Sequence, residues 1–378
     1  MIDVLVVGAG PAGSVAALVL ARAGVRVLMV ERDSLPRPKL CGDTLNPGAV
    51  RLLQGLGLSG GPLDMAERMT GMLVTTPSVA VRGAYPSGQV ALAVPRVEFD
   101  HWLAHAAIAA GAHLECGVRV LGPVWRTEPG RPAAMAGVSL RRNNGETIRM
   151  PAMLTIAADG RRSVLARAAN LSRHPAKPRR WAFGAYATDV DGMSSMGEMH
   201  VRAGHYVGLA PIGLGLTNIC VVTGRKPVGR TPEDVIRRAL TADPRLGERT
   251  HAWRLAASPQ VLGPLAVDCD AAGLPGLLLA GDAAGFVDPM TGDGMHIAMQ
   301  GGVLAAEAAL EALASGDMAV AAGTLTAARA AALGSKLRFN RWMRRLVSST
   351  AAINVVGAGA RMAPSMVTRL VRFAGDAA

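Results

Sequence analysis

The chain opens on an apolar run, Met1 to Val7, which stops at the turn Gly8-Ala9-Gly10-Pro11-Ala12-Gly13. A short apolar run without alternation predicts a strand buried on both faces. Val15 to Arg22 has helical spacing, and Gly24 ends it, since glycine tolerates the left-handed conformation that closes a helix. Val25 to Val30 is a second apolar strand, ending at Glu31. Residues 36–48 are rich in Pro and Gly and read as loop. Residues 69–94 alternate in strand fashion. Arg96 to Gly111 is helical, with Phe99, Trp102, Leu103, Ala106 and Ala107 at helical spacing. Short strands fill 113–158, the last being Ala152 to Ala158. A second strand-rich block covers 181–223, with a helix expected at 232–241. The Leu277 to Ala280 strand precedes helices over most of the remaining chain.

This order predicts an α/β fold with two lobes. A discontinuous Rossmann-like domain takes 1–70, 97–168 and 257–330, a β-rich substrate domain is inserted as 71–96 and 169–256, and residues 331–378 are basic C-terminal helices. The length, 378 residues, suits one large or two interleaved domains.

Half of the residues are hydrophobic, which supports a sizeable core, but only 3% are aromatic. Recognition by ring stacking must rest on few side chains, and Trp181, Phe183, Tyr186, Tyr206 and Phe286 are the interior candidates. The net charge of +12 fits nucleic acid, anionic lipid or a phosphorylated cofactor. No run of clustered Lys and Arg is interleaved with aromatics in the way a nucleic-acid surface suggests, so nucleic acid is not expected as a partner. From Met318 to Gly375 there is no acidic residue, and the basic ones are mixed with Phe339, Trp342, Met343 and Leu346. Such a mixture suits either helices packed on the dinucleotide domain or helices lying in an anionic membrane interface. Cys41, Cys116, Cys220 and Cys269 are widely spaced without a CxxC pair, so reduced thiols and no metal site are expected. The start of the chain has no charged region followed by a cleavage site, and Leu346 to Ala360 is too short and too polar for a membrane span. A cytoplasmic protein, possible membrane association included, is expected.

Gly8, Gly10 and Gly13 fit the Gly-x-Gly-x-x-Gly pattern between a strand and a helix. The first allows the turn, the second lets a pyrophosphate approach the backbone, and the third lets the helix pack on the strand. Glu31, at the tip of the next strand, can accept both hydroxyls of an adenosine ribose. The pattern itself does not separate NAD from FAD. Two look-alikes lack the third glycine: Gly213-Leu214-Gly215, and Gly357-Ala358-Gly359, where Met362 takes that place. One dinucleotide site is therefore expected, and a nicotinamide donor must bind without a Rossmann unit of its own. Ala158-Asp159-Gly160 and Gly281-Asp282 each follow an apolar strand and precede a helical pattern. Backbone N–H groups and helix starts gathered in this way receive anionic groups.

These motifs, in this order, resemble the flavoprotein family that holds aromatic hydroxylases (class A monooxygenases), geranylgeranyl reductases and flavin-dependent halogenases, whose fold resembles p-hydroxybenzoate hydroxylase. The resemblance spans most of the chain and implies bound FAD, with NADPH or NADH as a transient electron donor. It implies that the cofactor lies along Gly8, Gly10, Pro11, Ala12, Gly13, Glu31, Arg32 and Val120, with Arg96 at the pyrophosphate. Asp159, Gly160 and Gly281 also bind the cofactor, Asp282 holds the ribityl chain or its pyrophosphate environment, and the loop that starts at Pro289 brings the N–H groups of Gly292, Gly294 and Met295 to the flavin ring. Lys39-Leu40-Cys41-Gly42-Asp43 resembles a loop of the geranylgeranyl reductase branch that lies near the flavin. Cys41 either contacts or tunes the ring or is a small buried hydrophobe. His296, at the start of the following helix, is either structural or a hydrogen-bond donor beside the flavin. Cys41, His296 and Pro289 are the catalytic candidates. Tyr186, Tyr206 and Pro211 are the substrate-pocket candidates, because Tyr206-Val-Gly-Leu-Ala-Pro211 keeps the first aromatic and the proline of a reductase element.

The departures guide the functional expectation. No Trp-x-Trp-x-Ile-Pro motif occurs, which argues against halogenation. The glycines after Pro289 match the reductase branch better than the hydroxylases. The expected reaction is hydroxylation of an apolar or phenolic, lipid- or polyketide-like substrate with O₂. The alternatives are alkene reduction on a lipid and a non-catalytic flavin- or lipid-binding protein.

Overall fold

The computed structural model describes residues 2–127, 129–130, 133–176, 179–224, 226, 228–347, 349, 353 and 363–377. Its core is a six-stranded sheet. The Val4–Val7 strand lies between Val27–Glu31 and Leu154–Ala157, parallel to both. Leu277–Leu279 continues the parallel set on one side and His113–Cys116 on the other. Apolar residues fill the central strands because helices cover the sheet. On one face the Pro11–Arg22 helix packs with Arg96–Ala109 and the long Gly294–Ser315 helix around Val4, Val6, Met29 and Ile156. Gly294–Ser315 is long and apolar enough to cross a bilayer, yet Met299, Ala305, Ala306, Ala308, Ala309 and Ala312 are fully buried against protein. On the other face a three-stranded antiparallel sheet, Arg119–Arg126, Ala134–Arg141 and Thr147–Pro151, closes over Leu5, Val7 and Leu28.

An eight-stranded sheet forms the second lobe from Gly71–Thr75, Ala80–Ala84, Trp181–Thr188, Met196–Arg202, His205–Pro211, Thr217–Thr223 and two short strands. Its back is covered by the Pro232–Thr241 helix, whose start is fixed by a reciprocal cap between Thr231 and Asp234.

Most expected elements are present, and the differences lie at lobe boundaries. The substrate sheet runs past residue 256, since Gln260–Leu262 pairs with Trp181–Thr188. Ala91–Ala93 leaves that sheet and pairs with Thr44–Leu45 and Glu67–Met69 instead. Of the two look-alike turns, Gly213-Leu214-Gly215 is a hairpin tip with three successive positive φ values, 81°, 53° and 73°. Gly357 to Met362 lies outside the described residues, as does most of Leu346 to Ala360.

The C-terminal helices, Ala321–Leu346 and Pro364–Gly375, go to both lobes. The first packs on Gly294–Ser315, and the second packs on the Ala80–Ala84 strand, with Val371 against Gly83. A buried polar stripe along the first helix ties it down. Arg329 donates to the Ala284 carbonyl, Asn340 donates to Asp293 at 3.0 Å, and Lys336 pairs with Asp376 beyond the last helix.

Candidate functional site

Four loops leave the parallel sheet at its carboxyl edge: Gly8–Gly10, the segment after Glu31, Ala158–Gly160 and Gly281–Asp282. This edge is where open α/β sheets bind ligands. The glycines make the approach possible. Gly8 has φ +101°, and a side chain on it would strike the Ala158 carbonyl oxygen at 2.6 Å. A Cβ on Gly13 would lie 1.9 Å from the Gly8 carbonyl oxygen, so only glycine lets the helix sit on the turn. At Gly10 the place of a Cβ is open, the nearest atom being Nη2 of Arg37 at 3.8 Å.

A cavity of about 630 Å³ runs from this edge into the space between the lobes. Gly8, Gly10, Pro11, Ala12, Glu31, Arg32, Arg96, Val120, Asp159, Gly160, Gly281 and Asp282 line its polar part. Cys41, Gly42, Pro289, Gly292, Gly294 and Met295 line the middle. Gly13 lies beneath the turn, in its packing role. The far part is apolar, with Met72, Val81, Tyr206, Phe286, Phe339 and Met343 among its walls.

Charge is arranged along the polar part. Glu31 accepts from the Ala9 and Asp33 N–H groups at 3.0 and 3.1 Å, and Arg37 pairs with it at 3.2 Å. Arg96 grips Asp100 with two bonds, at 2.6 and 2.8 Å, which gives Asp100 the structural pairing role. Burial opposes the Arg96 charge, and Asp100 more than offsets it, so the group stays ionised. Lys39 and Arg161 line the same stretch, and burial pulls both below their ordinary range although Asp282 favours their charge. Burial likewise raises Asp282, partly offset by Lys39, Arg161 and Arg96. The Asp282 carboxylate makes no hydrogen bond with any described residue, and buried Oδ1 of Asp159 is without a partner. Open backbone at Gly10, guanidinium and ammonium groups along the same stretch, the Asp282 carboxylate and the unpartnered Oδ1 of Asp159, whose Oδ2 caps the following helix at Val164 N–H, suit a ligand with a diphosphate and several hydroxyls. The residues present therefore fit FAD.

The middle of the cavity rests on a buried joint. Asp43, at φ +53°, accepts from Tyr186 Oη and Asn218 Nδ2, both at 2.7 Å, and from the Arg96 N–H at 3.2 Å. Asn218 also donates to the Cys41 carbonyl at 2.9 Å, so the joint locks the Cys41–Gly42 loop to the substrate sheet. Burial raises the Asp43 carboxyl to about 6 against its three donors. Burial also pushes the Cys41 thiol up, with Arg96 opposing, so Cys41 stays a protonated thiol at neutral pH. A second joint joins the ring loop to the substrate sheet. Asp288, next to Pro289, accepts from Tyr206 at 2.6 Å and pairs with Arg180 at 2.8 Å, while Arg180 donates to the Arg344 carbonyl.

Three expected site residues do not reach the cavity. His296 follows Met295 by 100° around the helix, and Met295 and Ala298 hold the cavity face. His296 instead points at the C-terminus, with Nδ1 2.6 Å from Asp376 Oδ2, and is structural. Tyr186 sits on the correct lobe, but its hydroxyl is engaged by Asp43 and its ring packs on the buried cluster that holds Met69, Ala93 and Ala210. Pro211 falls off the strand face that presents Tyr206, Gly208 and Ala210 to the cavity, because side chains alternate. Arg37, Lys39, Arg161 and Asn218 were missed. The first two sit in the Pro-rich loop, where no period assigns direction. Arg161 stands beside an assigned motif, and Asn218 is a polar residue within an apolar strand, the one signal that could have found it.

The comparisons with known proteins follow this geometry. A family model described as FAD binding domain matches residues 1–321. Menaquinone reductase of Mycolicibacterium smegmatis is 33% identical over 323 residues, 81% of this chain and 75% of that protein. Digeranylgeranylglycerophospholipid reductase of Methanosphaerula palustris is 28% identical, over 85% of this chain and 79% of that protein. The crystal structure of a geranylgeranyl bacteriochlorophyll reductase-like protein from Thermoplasma acidophilum has a TM-score of 0.79 at 25% identity, covering 97% of this chain and 98% of the other. A flavin-dependent brominase shares the fold with a TM-score of 0.84 at 20% identity, covering 99% and 93% of the two chains.

Proposed function

We propose, from the premise that this chain belongs to the FAD-binding domain family, that it reduces carbon–carbon double bonds of an isoprenoid lipid. The chain is an FAD-dependent oxidoreductase. The observation that carries the finer reading is the 33% identity, over most of the chain, to a protein named menaquinone reductase, and the second relative is a reductase of a prenylated lipid. The apolar far part of the cavity supports the same reading, because Met72, Val81, Tyr206, Phe339 and Met343 offer surface to a hydrocarbon and few hydrogen-bond partners to a polar ring. Reduction thereby replaces the hydroxylation expected from sequence as the leading reading.

When bound, FAD supplies the two electrons, delivered as hydride from its reduced ring. The protein supplies the rest. Gly8 to Gly13, Arg37 and Arg96 hold the dinucleotide at its phosphates. Asp159 and Asp282 accept from its hydroxyls. The loop from Asp288 to Gly294 holds the ring edge, and the joint to Tyr206 fixes that loop relative to the substrate sheet. The apolar walls hold the alkene and exclude water. Alkene reduction needs a proton on the second carbon, and in this reading the thiol of Cys41 gives it, a role supported by its lying in the cavity lining and by the burial that keeps it protonated. NADPH or NADH would be the electron donor in this reading.

The test is turnover with a soluble polyprenyl quinone. Wild-type protein is expected to saturate the alkene without net oxygen uptake. Cys41→Ala is expected to keep donor-driven flavin bleaching and to lose product formation by about 10²-fold or more. Oxygen uptake matched to a hydroxylated product would refute reduction, and no bleaching with any donor would refute an enzyme role.

A further inference from the structure

We propose that the outward face of the C-terminal helices docks on an anionic phospholipid bilayer, and that the substrate passes from bilayer to cavity beside Trp342. The second half of this statement rests on the lipid-reductase reading; the first half does not. The Ala321–Leu346 helix has three separate faces near its end. Lys336 and Asn340 turn to the carboxylates of Asp376 and Asp293. Phe339, Met343 and Leu346 turn to the cavity. Arg338, Arg341 and Arg345 are exposed on the third. Trp342 belongs to two of these faces, lining the cavity while remaining 49% exposed.

The last helix repeats the arrangement. Val367, Leu370 and Val371 line the cavity, Arg369 and Arg372 are exposed, and Met366 and Phe373 stand 58% and 45% exposed without reaching the cavity. The hairpin tip adds an apolar anchor. Leu214 is 97% exposed in a strained conformation, while its flanks Ile212 and Leu216 pack in the same cluster as Val367 and Val371. Exposed aromatic and aliphatic side chains among arginines match a membrane interface, where rings and methylenes sit at head-group depth and guanidiniums meet phosphates. Charge selects the partner: Arg338, Arg341, Arg345, Arg369 and Arg372 are exposed, and the sequence from 318 to 375 has no acidic residue. An anionic surface is favoured over a neutral one, and like charge opposes pairing of this face with a second copy.

The flavin-loaded full chain would be sedimented with phosphatidylcholine vesicles containing or lacking phosphatidylglycerol. Binding to the anionic vesicles is expected to be at least tenfold tighter and to weaken with added salt. Arg341→Glu with Arg345→Glu is expected to lower it at least tenfold, and Met366→Glu to lower it also, with flavin content and Tm retained. Equal binding to both vesicle types, no binding to either, or unaffected variants would overturn docking. So would a self-association that the double arginine variant abolishes, because the face would then cover a second copy. Turnover of substrate in detergent separates the two readings. Vesicle binding without alkene reduction leaves docking standing and removes the reductase reading, while the reverse result removes docking alone.

Discussion

Asp43→Asn tests the joint beneath the Cys41 loop. The carboxylate is buried and receives only donors, from Tyr186, Asn218 and the Arg96 N–H. Burial is the main cause of its rise from 3.8 to about 6. The folded chain therefore holds this proton more tightly than the unfolded chain. The stability the group contributes is fully present below pH 3.8 and is lost as pH rises through about 6. A rise of about 2 units corresponds to about 3 kcal/mol, of which about 2 kcal/mol falls between about pH 4.5 and about pH 7. Asparagine cannot ionise and has no such slope. Urea unfolding, followed by tryptophan fluorescence across that range, should show wild-type stability falling by about 2 kcal/mol relative to the variant. Subtraction removes Asp159, Asp282 and Asp293, which burial also raises. The offset between the proteins carries no information here, because the new amide places a donor among donors and costs about 1–3 kcal/mol at every pH. A difference constant across the range would mean that Asp43 titrates as an ordinary carboxylate and that the joint is open to water.

Two substitutions in the glycine turn should separate folding from binding. Gly13→Ala drives a methyl into the Gly8 carbonyl oxygen, at 1.9 Å, and should lower stability by about 1–3 kcal/mol in thermal unfolding of the flavin-free protein. Gly10→Ala meets nothing nearer than Arg37 at 3.8 Å, so it should leave that unfolding unchanged while weakening FAD at least tenfold in a fluorescence titration. Arg96→Met leaves Asp100, at 0% exposure, with only the 3.4 Å contact to Arg37, and should cost about 3 kcal/mol in urea unfolding.

The dinucleotide half was legible because its signals are local. Gly8 and Gly13 are forced by backbone approach, Gly10 leaves the ligand side open, and the apolar strands around them are runs that only a covered parallel sheet tolerates. Glu31, Asp159 and Asp282 follow from standing at, or within three residues of, the carboxyl ends of parallel strands. The substrate half was less legible. A strand period places residues on two faces, as with Tyr206 and Pro211, but does not reveal which face a neighbouring loop has claimed. Asp43 engages Tyr186 across 143 positions of sequence, and no local rule anticipates that. His296 failed for a related reason: proximity along the chain to Met295 suggested the flavin, while helix geometry turned the ring to Asp376. The role of the C-terminal helices was half-visible, since their composition announced a two-sided surface and only the fold assigned one side to the cavity.

The stretch that the family model matches ends at residue 321, and the walls contributed by Phe339, Trp342, Met343, Val367 and Val371 all come later. A version of the protein trimmed to that boundary would keep the nucleotide end and lose part of the apolar wall of the cavity. It would also strip Asn340 and Lys336 from Asp293, the residue from which the helix under the ring loop begins. Expression tags and deletions at the carboxyl end are therefore interventions in chemistry rather than conveniences of purification. Swapping that end between related enzymes is the most direct route to altering which substrate is admitted.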